Sequence, residues 1–167
     1  MDLASFRALL PYNDWANDQL LTAGEALSDE QLDHPLPISM GTFRKLILHV
    51  HIGELVWLRR WQGETDQAWL DQSEPIRPAG LVPRFAELRT TRDAWLNGLS
   101  DAQVRAEQKY LDSKGGYYVA PLGEMFLQGF VHSTHHRAQL VNMLRQLDGA
   151  PPELDYMYHV RRPADGE

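Results

Sequence analysis

Apolar residues recur at helical spacing along four long stretches of this 167-residue chain, and this periodicity constrains its fold more than any other feature. Steps of three and four residues predict helices over residues 3–27, 42–61, 83–99 and 121–147. Pro11 interrupts the first of these, and it either kinks that helix or marks the start of its regular part. Long amphipathic helices with short connections predict an all-α protein, a four-helix bundle.

One region departs from the helical pattern. Residues 104–119 carry two short segments with β character around Gly115 and Gly116, which predicts a short β-hairpin just before the last long helix. No internal repeat, low-complexity segment or linker divides the sequence. We therefore expect residues 1–167 to form a single domain.

The second predicted helix is apolar on more than one face. Leu48, Ile52 and Val56 extend to the side that would otherwise face solvent. Either another element of the chain or a second subunit could cover them.

Charge and composition exclude several classes of protein. The net charge is −7, and lysine and arginine form no stripe, which argues against a nucleic-acid partner. No apolar run approaches the roughly 20 residues that span a bilayer, and the start of the chain does not resemble a secretory signal. We therefore expect no membrane partner and a cytoplasmic location. Because the chain has no cysteine, it has no thiolate ligand and no cysteine nucleophile.

Three of the seven histidines lie in the stretch FVHSTHHRAQLV of the last predicted helix. His132 and His136 are four residues apart and share a face, whereas His135 points roughly 100° away from His136. Two interpretations follow from this spacing. The pair either binds a metal ion, or it consists of two buried, hydrogen-bonded histidines, with His135 and Arg137 as ordinary surface residues.

Packing expectations accompany this histidine pair. Gly129 and Ser133 are small and lie in the core stripe of the same helix, so they would leave room for a bound group. Trp57 and Trp61 lie at core spacing and are expected to pack rather than to contact a substrate.

A third metal ligand has to come from another helix. His49 and His51 lie two residues apart in the second helix and project about 200° from each other, so both cannot face one ion. The helical wheel does not decide between them. His34 and His159 lie in poorly patterned segments, where solvated or locally packed side chains are expected.

Glu54 is a carboxylate near the centre of an apolar face, and a buried carboxylate needs a partner. Three roles are open to it. It could form a structural ion pair with an arginine, accept a hydrogen bond from a ligand imidazole, or bind the metal directly.

Three motifs, YNDWANDQLL, HVHIGELVWLRR and HSTHHRAQLVNMLRQL, together resemble the DinB-like (YfiT-like) family of metal-dependent enzymes. They occur in the family's order, and the intervals between them span nearly the whole chain. The family's second-helix ligand lies eight residues before a tryptophan and five before an acidic residue, a pattern that His49, Trp57 and Glu54 match. The resemblance therefore implies His49 as the third ligand.

The closing HxxHH motif of the family carries ligands on its first and last histidines, which correspond to His132 and His136. His135 and Arg137 match positions that are not ligands. The glycine that usually follows this arginine is Ala138 here, a departure that does not affect the ligands.

The resemblance implies further properties of the protein. It implies an up-down-down-up bundle, often dimeric, with zinc or nickel held by three histidines and open coordination positions. Some relatives are transferases or isomerases that use a low-molecular-weight thiol such as bacillithiol, mycothiol or glutathione. We therefore expect one divalent metal ion per chain, a small-molecule substrate, a thiol cosubstrate and a homodimer.

The first hypothesis is that the metal activates such a thiol for attack on an electrophile. A hydrolase that activates water at the same site is the alternative, and a general base for either reaction would come from Glu54, Glu124 or Tyr12. A non-catalytic dimeric bundle with a structural or regulatory metal, and a bundle with no metal, are the remaining hypotheses.

Overall fold

The computed structural model describes residues 2–64 and 70–164, and within them the chain is mostly helical. The predicted domain limits, residues 1 and 167, lie outside the described residues. In this part of the chain no helix is both long and apolar enough to cross a membrane. The elements, in chain order, are α1 (Leu3–Glu25), α2 (Asp29–Asp33), α3 (Phe43–Trp61), α4 (Pro78–Asn97), α5 (Asp101–Arg105), β1 (Glu107–Leu111), β2 (Tyr117–Pro121), α6 (Leu122–Gln146) and α7 (Tyr156–Val160).

The four long helices α1, α3, α4 and α6 form a bundle, as the sequence predicts. Helices α1 and α3 each pack extensively against α4 and α6. The first two long helices, α1 and α3, therefore lie at opposite corners of the bundle, and so do the last two, α4 and α6. A simple up-down-up-down bundle would instead place them side by side, and the arrangement agrees with the up-down-down-up order.

Two helix boundaries differ from the sequence prediction, and both involve proline. α1 continues through Pro11 from Leu3 to Glu25. α4 begins at Pro78, five residues before Pro83, so the prediction that Pro83 opens this helix is wrong. Pro78 occupies the first turn, where the missing backbone N–H has no partner to lose. Pro83 lies just beyond that turn.

The predicted hairpin is confirmed. β1 and β2 are antiparallel, with Glu107 opposite Pro121 and Leu111 opposite Tyr117. Asp112 closes the turn, because one carboxylate oxygen accepts hydrogen bonds from the backbone N–H groups of Lys114 and Gly116. β2 runs directly into α6, so the hairpin stands beside the first turns of that helix.

The apolar outer side of α3 is covered by this chain itself. Leu48, Ile52 and Val56 are all buried. Leu70 and Ile76, from the segment before α4, pack against the same cluster. A second subunit is therefore not needed to cover them.

The bundle core consists of two apolar clusters with a polar layer between them. One cluster includes Leu20, Phe43 and Leu140, and the other includes Phe6 and Phe126. Buried and half-buried polar side chains of α1 and α6 lie between the two clusters, and on α3 a carboxylate lies at the same level. The members of this layer are Asn13, Asn17, Glu54, His132, Ser133, His136 and Arg137.

Candidate metal centre

Three histidine side chains from two helices converge between α3 and α6. His49 lies on α3, and His132 and His136 lie one turn apart on α6. Their ring centroids are 4.5 to 5.3 Å apart, and one ring nitrogen of each lies within 4.8 Å of those of the other two. Among the described residues, this is the one group of histidine and acidic side chains placed to hold a metal ion.

Two glutamine side chains fix the orientation of two of these rings. Nδ1 of His49 lies 2.8 Å from Oε1 of Gln72, and Nδ1 of His136 lies 2.8 Å from Oε1 of Gln139. Because an amide oxygen only accepts hydrogen bonds, each Nδ1 carries the proton and donates it. The Nε2 atom of each ring is then unprotonated and can bind an ion, as is usual for metal-binding histidines.

His132 reaches the centre because Gly53 on α3 leaves space for its ring. A Cβ atom at Gly53 would lie 2.6 Å from Cε1 of His132. Burial, and to a smaller extent the neighbouring imidazoles, lowers the pKa of His132 to about 4, so the ring is neutral at physiological pH. Its buried Nδ1 has no hydrogen-bond partner within the described residues. An orphaned imidazole nitrogen beside two oriented imidazoles fits a centre completed by a bound ion.

The remaining histidines lie away from this centre. His51 is buried on the opposite side of α3, edge-on to Phe85 with ring centroids 4.9 Å apart, and burial lowers its pKa. His135 is exposed, as predicted, and its Nε2 accepts a hydrogen bond from Gln139. His34 is exposed and His159 packs against the aromatic rings of α1.

Glu54 faces the bundle interior rather than the three histidines. Its Oε1 atom accepts hydrogen bonds from Nδ2 of Asn13 and Nδ2 of Asn17, both at 2.8 Å, and from Oγ of Ser133 at 3.1 Å. Arg137 lies close enough for the charge of Glu54 to raise its pKa, against the larger effect of burial. Glu54 therefore belongs to a polar cluster that joins α1, α3 and α6.

Arg137 completes this polar cluster. It is 2% exposed, so the interpretation that made it a surface residue is wrong. Its guanidinium donates to the side-chain oxygens of Asn13, Asn17 and Thr134. The position of Arg137 on the helical wheel does not give the direction of its side chain. A long side chain on the flank of a helix can turn inward when oxygen acceptors lie on the facing helix.

The small residues Gly129 and Ser133 do not leave a vacant core. A Cβ atom at Gly129 would lie 2.8 Å from the Trp61 ring, and Trp57 lies against the same position. Next to them remains a cavity of about 20 Å³, which is the size of one water molecule. The tryptophan rings therefore occupy the space that we expected for a bound group.

The histidine centre opens to an outer cleft instead. This cleft has a volume of about 590 Å³ and lies between α3, α6 and the hairpin. His49, His132 and Glu124 line it, and so does one side of Trp57, which was expected only to pack. Of the other general-base candidates, Glu54 is in the interior, and the Tyr12 hydroxyl donates to the Leu154 carbonyl at 2.7 Å.

Sequence reasoning missed three residues of the centre. Gly53 carried a signal, because a mid-helix glycine costs about 1 kcal/mol relative to alanine and usually has a packing reason. Gln139 lies one turn after His136, which is also readable as a helical pair. Gln72 lies in a loop, and no pattern in the sequence connects it to His49.

The fold and the site together define the class of protein: a helical bundle with a three-histidine site that could hold a metal ion and that faces a cleft. The DinB family model matches residues 2–164, and the chain therefore belongs to the DinB family. Two relatives agree. Protein DinB of Bacillus subtilis (strain 168) is 23% identical over 153 residues, which cover 89% of each protein. A DinB-like protein from Bacillus cereus ATCC 10987, known from its crystal structure, is 18% identical with a TM-score of 0.72, covering 91% of this chain and 97% of that one.

Proposed function

We propose that this protein binds one divalent metal ion through His49, His132 and His136, and that it is a metal-dependent transferase that activates a low-molecular-weight thiol or water. The observation that carries the proposal is the convergence of three imidazoles beside a cleft of about 590 Å³. Sites with three protein ligands and an open position are typical of catalytic metals, whereas structural sites have four protein ligands.

The side chains of the centre suit this role. A divalent ion held by neutral imidazoles keeps its full charge and lowers the pKa of a coordinated thiol or water towards neutrality. The imidazole donor set suits zinc and nickel, the two metals that we propose. Gln72 and Gln139 keep two of the rings in their binding tautomer, and Gly53 keeps the third in place.

A hydrolase at the same site is the second candidate function, and one observation favours it. Glu124 lines the cleft together with His132, so a carboxylate stands on the substrate side of the centre. A carboxylate in that place could accept a proton from an attacking water molecule.

Metal content tests the first part of the proposal. Protein purified without an affinity tag and dialysed against zinc or nickel should contain close to one metal ion per chain by mass spectrometry. His49→Ala should abolish this content, while His51→Ala, at the matched position on the opposite face of α3, should retain it. If His51→Ala lost the metal and His49→Ala retained it, His51 rather than His49 would be the third ligand.

The visible spectrum of cobalt-substituted protein tests the thiol. Addition of bacillithiol, mycothiol or glutathione should produce a thiolate-to-cobalt charge-transfer band that saturates with thiol concentration. If metal is bound and no thiol changes the spectrum, the transferase proposal fails and hydrolysis is the function to assay.

We also propose that the protein forms a homodimer. Leu127 and Val131 are exposed on successive turns of α6, which supports an apolar contact surface there. Sedimentation equilibrium should give twice the chain mass, and Leu127→Glu combined with Val131→Glu should give the monomer. A monomeric wild-type protein would contradict the proposal.

A further inference from the structure

A buried arginine, Arg60, lines the cleft beside the histidines. Arg60 lies on α3 and is 8% exposed. Its guanidinium carbon stands 4.7 Å from the centre of the Trp57 ring and 5.7 Å from that of the Tyr110 ring. All three side chains line the same cleft as His49 and His132.

Arg60 differs from the other buried arginines in its partners. Arg44 is 7% exposed and pairs with two aspartates, and Arg92 is 3% exposed and also pairs with two. The guanidinium of Arg137 donates to three side-chain oxygens. Arg60 makes one hydrogen bond, from Nε to the backbone carbonyl of Leu111 at 3.0 Å, and no carboxylate among the described residues pairs with it.

A buried cation without a directly paired anion is costly. The charge of Asp112 acts on Arg60 but does not outweigh burial, which lowers the pKa of the guanidinium. Because Nε is occupied by Leu111, the two Nη atoms remain to donate side by side. That edge of a guanidinium matches the two oxygens of a carboxylate. The rings of Trp57 and Tyr110 lie against the guanidinium and would limit the access of water to an ion pair formed there.

The spacing along α3 directs this group towards the histidines. His49, Gly53, Trp57 and Arg60 follow one another at helical intervals on the cleft side. Eleven residues separate the Cα atoms of His49 and Arg60, a rise of about 16 Å. The guanidinium is nearer than that, because the side chain leans back over Trp57.

We propose that Arg60 binds a carboxylate of the substrate or cosubstrate, so that the protein acts on small molecules with an acid group several bonds from the atom that meets the histidine centre. This inference rests on the proposed function and adds the substrate class. Asp112 and Glu124 also line the cleft, and their negative charges favour a singly charged carboxylate over a phosphate dianion.

Matched pairs of thiols test the proposal on cobalt-loaded protein. The 6-mercaptohexanoate and 8-mercaptooctanoate ions are compared with 6-mercapto-1-hexanol and 8-mercapto-1-octanol by titration of the charge-transfer band. At least one acid should bind about tenfold more tightly than its alcohol, which is the lower end of what a hydrogen bond to a charged group contributes. The net charge of −7 works against this preference, so a general field does not produce it.

Two variants assign the preference to Arg60. Arg60→Met should reduce it to within about twofold while the alcohols bind as before, which also shows that the variant is folded. Arg59→Met is the matched control, because Arg59 is the neighbouring residue and pairs with Glu64 away from the cleft. It should retain the full preference. Equal affinities of acid and alcohol in the wild type would overturn the proposal.

A metal-free experiment separates this proposal from the proposed function. NMR titration of the metal-free protein compares 3-phenylpropanoate with 3-phenylpropan-1-ol and with phenyl phosphate. Stronger binding of the carboxylate, lost in Arg60→Met, would support the subsite even if no thiol alters the cobalt spectrum. Tighter binding of phenyl phosphate, or no difference between acid and alcohol, would overturn the carboxylate assignment whatever the metal binds.

Discussion

Two polar clusters lie in the same layer of this bundle, and they differ in how completely their polar atoms are paired. The inner cluster joins α1, α3 and α6 around Glu54, whose Oε1 atom accepts three side-chain hydrogen bonds. The outer cluster consists of His49, His132 and His136 and retains a buried imidazole nitrogen without a partner in the described part of the chain. The first is complete within the protein, and the second is arranged around a point that no side chain fills.

This difference assigns different roles to neighbouring residues. A buried polar group without a partner costs about 1–3 kcal/mol, so a protein selected for stability alone would pair it or replace it. Ser133 and Arg137 belong to the inner cluster. On α6, His132 directly precedes Ser133, and His136 directly precedes Arg137. One helix therefore carries a stabilising cluster on one side and a binding centre on the other.

The largest expected effect is the loss of metal affinity when a histidine of the outer cluster is removed. His132→Ala should weaken metal binding by more than the roughly 100-fold that loss of an outer hydrogen bond costs, because it removes a ligand. The free energy of unfolding of the metal-free protein should change by less than about 1 kcal/mol, since an unpaired polar group disappears with the ring. Competition with a chelator measures the first quantity, and urea unfolding measures the second.

The control is His34→Ala, which removes an exposed histidine that lies away from this centre. Both quantities should stay at their wild-type values. If His132→Ala instead destabilised the metal-free protein as strongly as a core deletion, the outer cluster would be a packing element and the comparison would fail.

The opposite pattern is expected for the inner cluster. Glu54→Leu leaves the Nδ2 groups of the two asparagines without their acceptor. It also removes the negative charge that raises the pKa of the buried Arg137, so unfolding should become easier by about 3 kcal/mol. Metal affinity should stay within about threefold, because the hydrogen bonds that Glu54 makes in the described part of the chain go to Asn13, Asn17 and Ser133, and other side chains form the metal site.

Urea unfolding with and without zinc measures both effects, and Glu87→Leu on the exposed side of α4 serves as the surface control. That control should change stability by no more than about 0.5 kcal/mol. A large loss of metal affinity in Glu54→Leu would move Glu54 from the inner cluster to the binding centre.

The fold could be predicted from the sequence because its long helices are amphipathic, and the structure contains the helices that their apolar spacing predicts. The hairpin was readable for a similar reason, since two β-like segments flank a glycine pair. The start of α4 was not, because Pro78 and Pro83 both suit a first turn and local pattern cannot rank them. Tertiary contacts, not local propensity, decide such boundaries.

The site was readable only in part. Spacing placed His132 and His136 on one face, but a wheel could not separate His49 from His51, because that choice depends on which helix packs on which side of α3. The inward turn of Arg137 and the contact of Gln72 with His49 depend on residues more than 20 positions away. Such partners leave no periodic trace in a single sequence.

A smaller effect is expected from the glycine that admits the His132 ring. The new Cβ atom in Gly53→Ala would lie 2.6 Å from Cε1 of His132 and would displace the ring from the metal point. Metal affinity should fall by about tenfold, the range seen when a ligand loses its orientation. Stability should change little, since alanine favours the helix by about 1 kcal/mol and offsets the displacement.

Gly98→Ala is the matched control for this change. A Cβ atom there would meet the Trp95 carbonyl oxygen at 3.6 Å, an ordinary contact. Metal affinity should be unaffected. Equal affinities in wild-type protein and Gly53→Ala would show that the His132 ring does not need this position to bind the ion.

The smallest effect concerns pH. Burial lowers the pKa of His132 from its ordinary value of 6.5 to about 4 in the folded protein. Between these values the unfolded chain binds more protons than the folded one, so the free energy of unfolding of the metal-free protein should fall as the pH drops from 6.5 towards 4. His136 and His51 are shifted in the same direction by burial and contribute with the same sign. The informative quantity is therefore the difference between wild-type protein and His132→Ala: urea midpoints across this range should decline less steeply in the variant, and parallel declines would mean that the outer cluster does not resist protonation through His132.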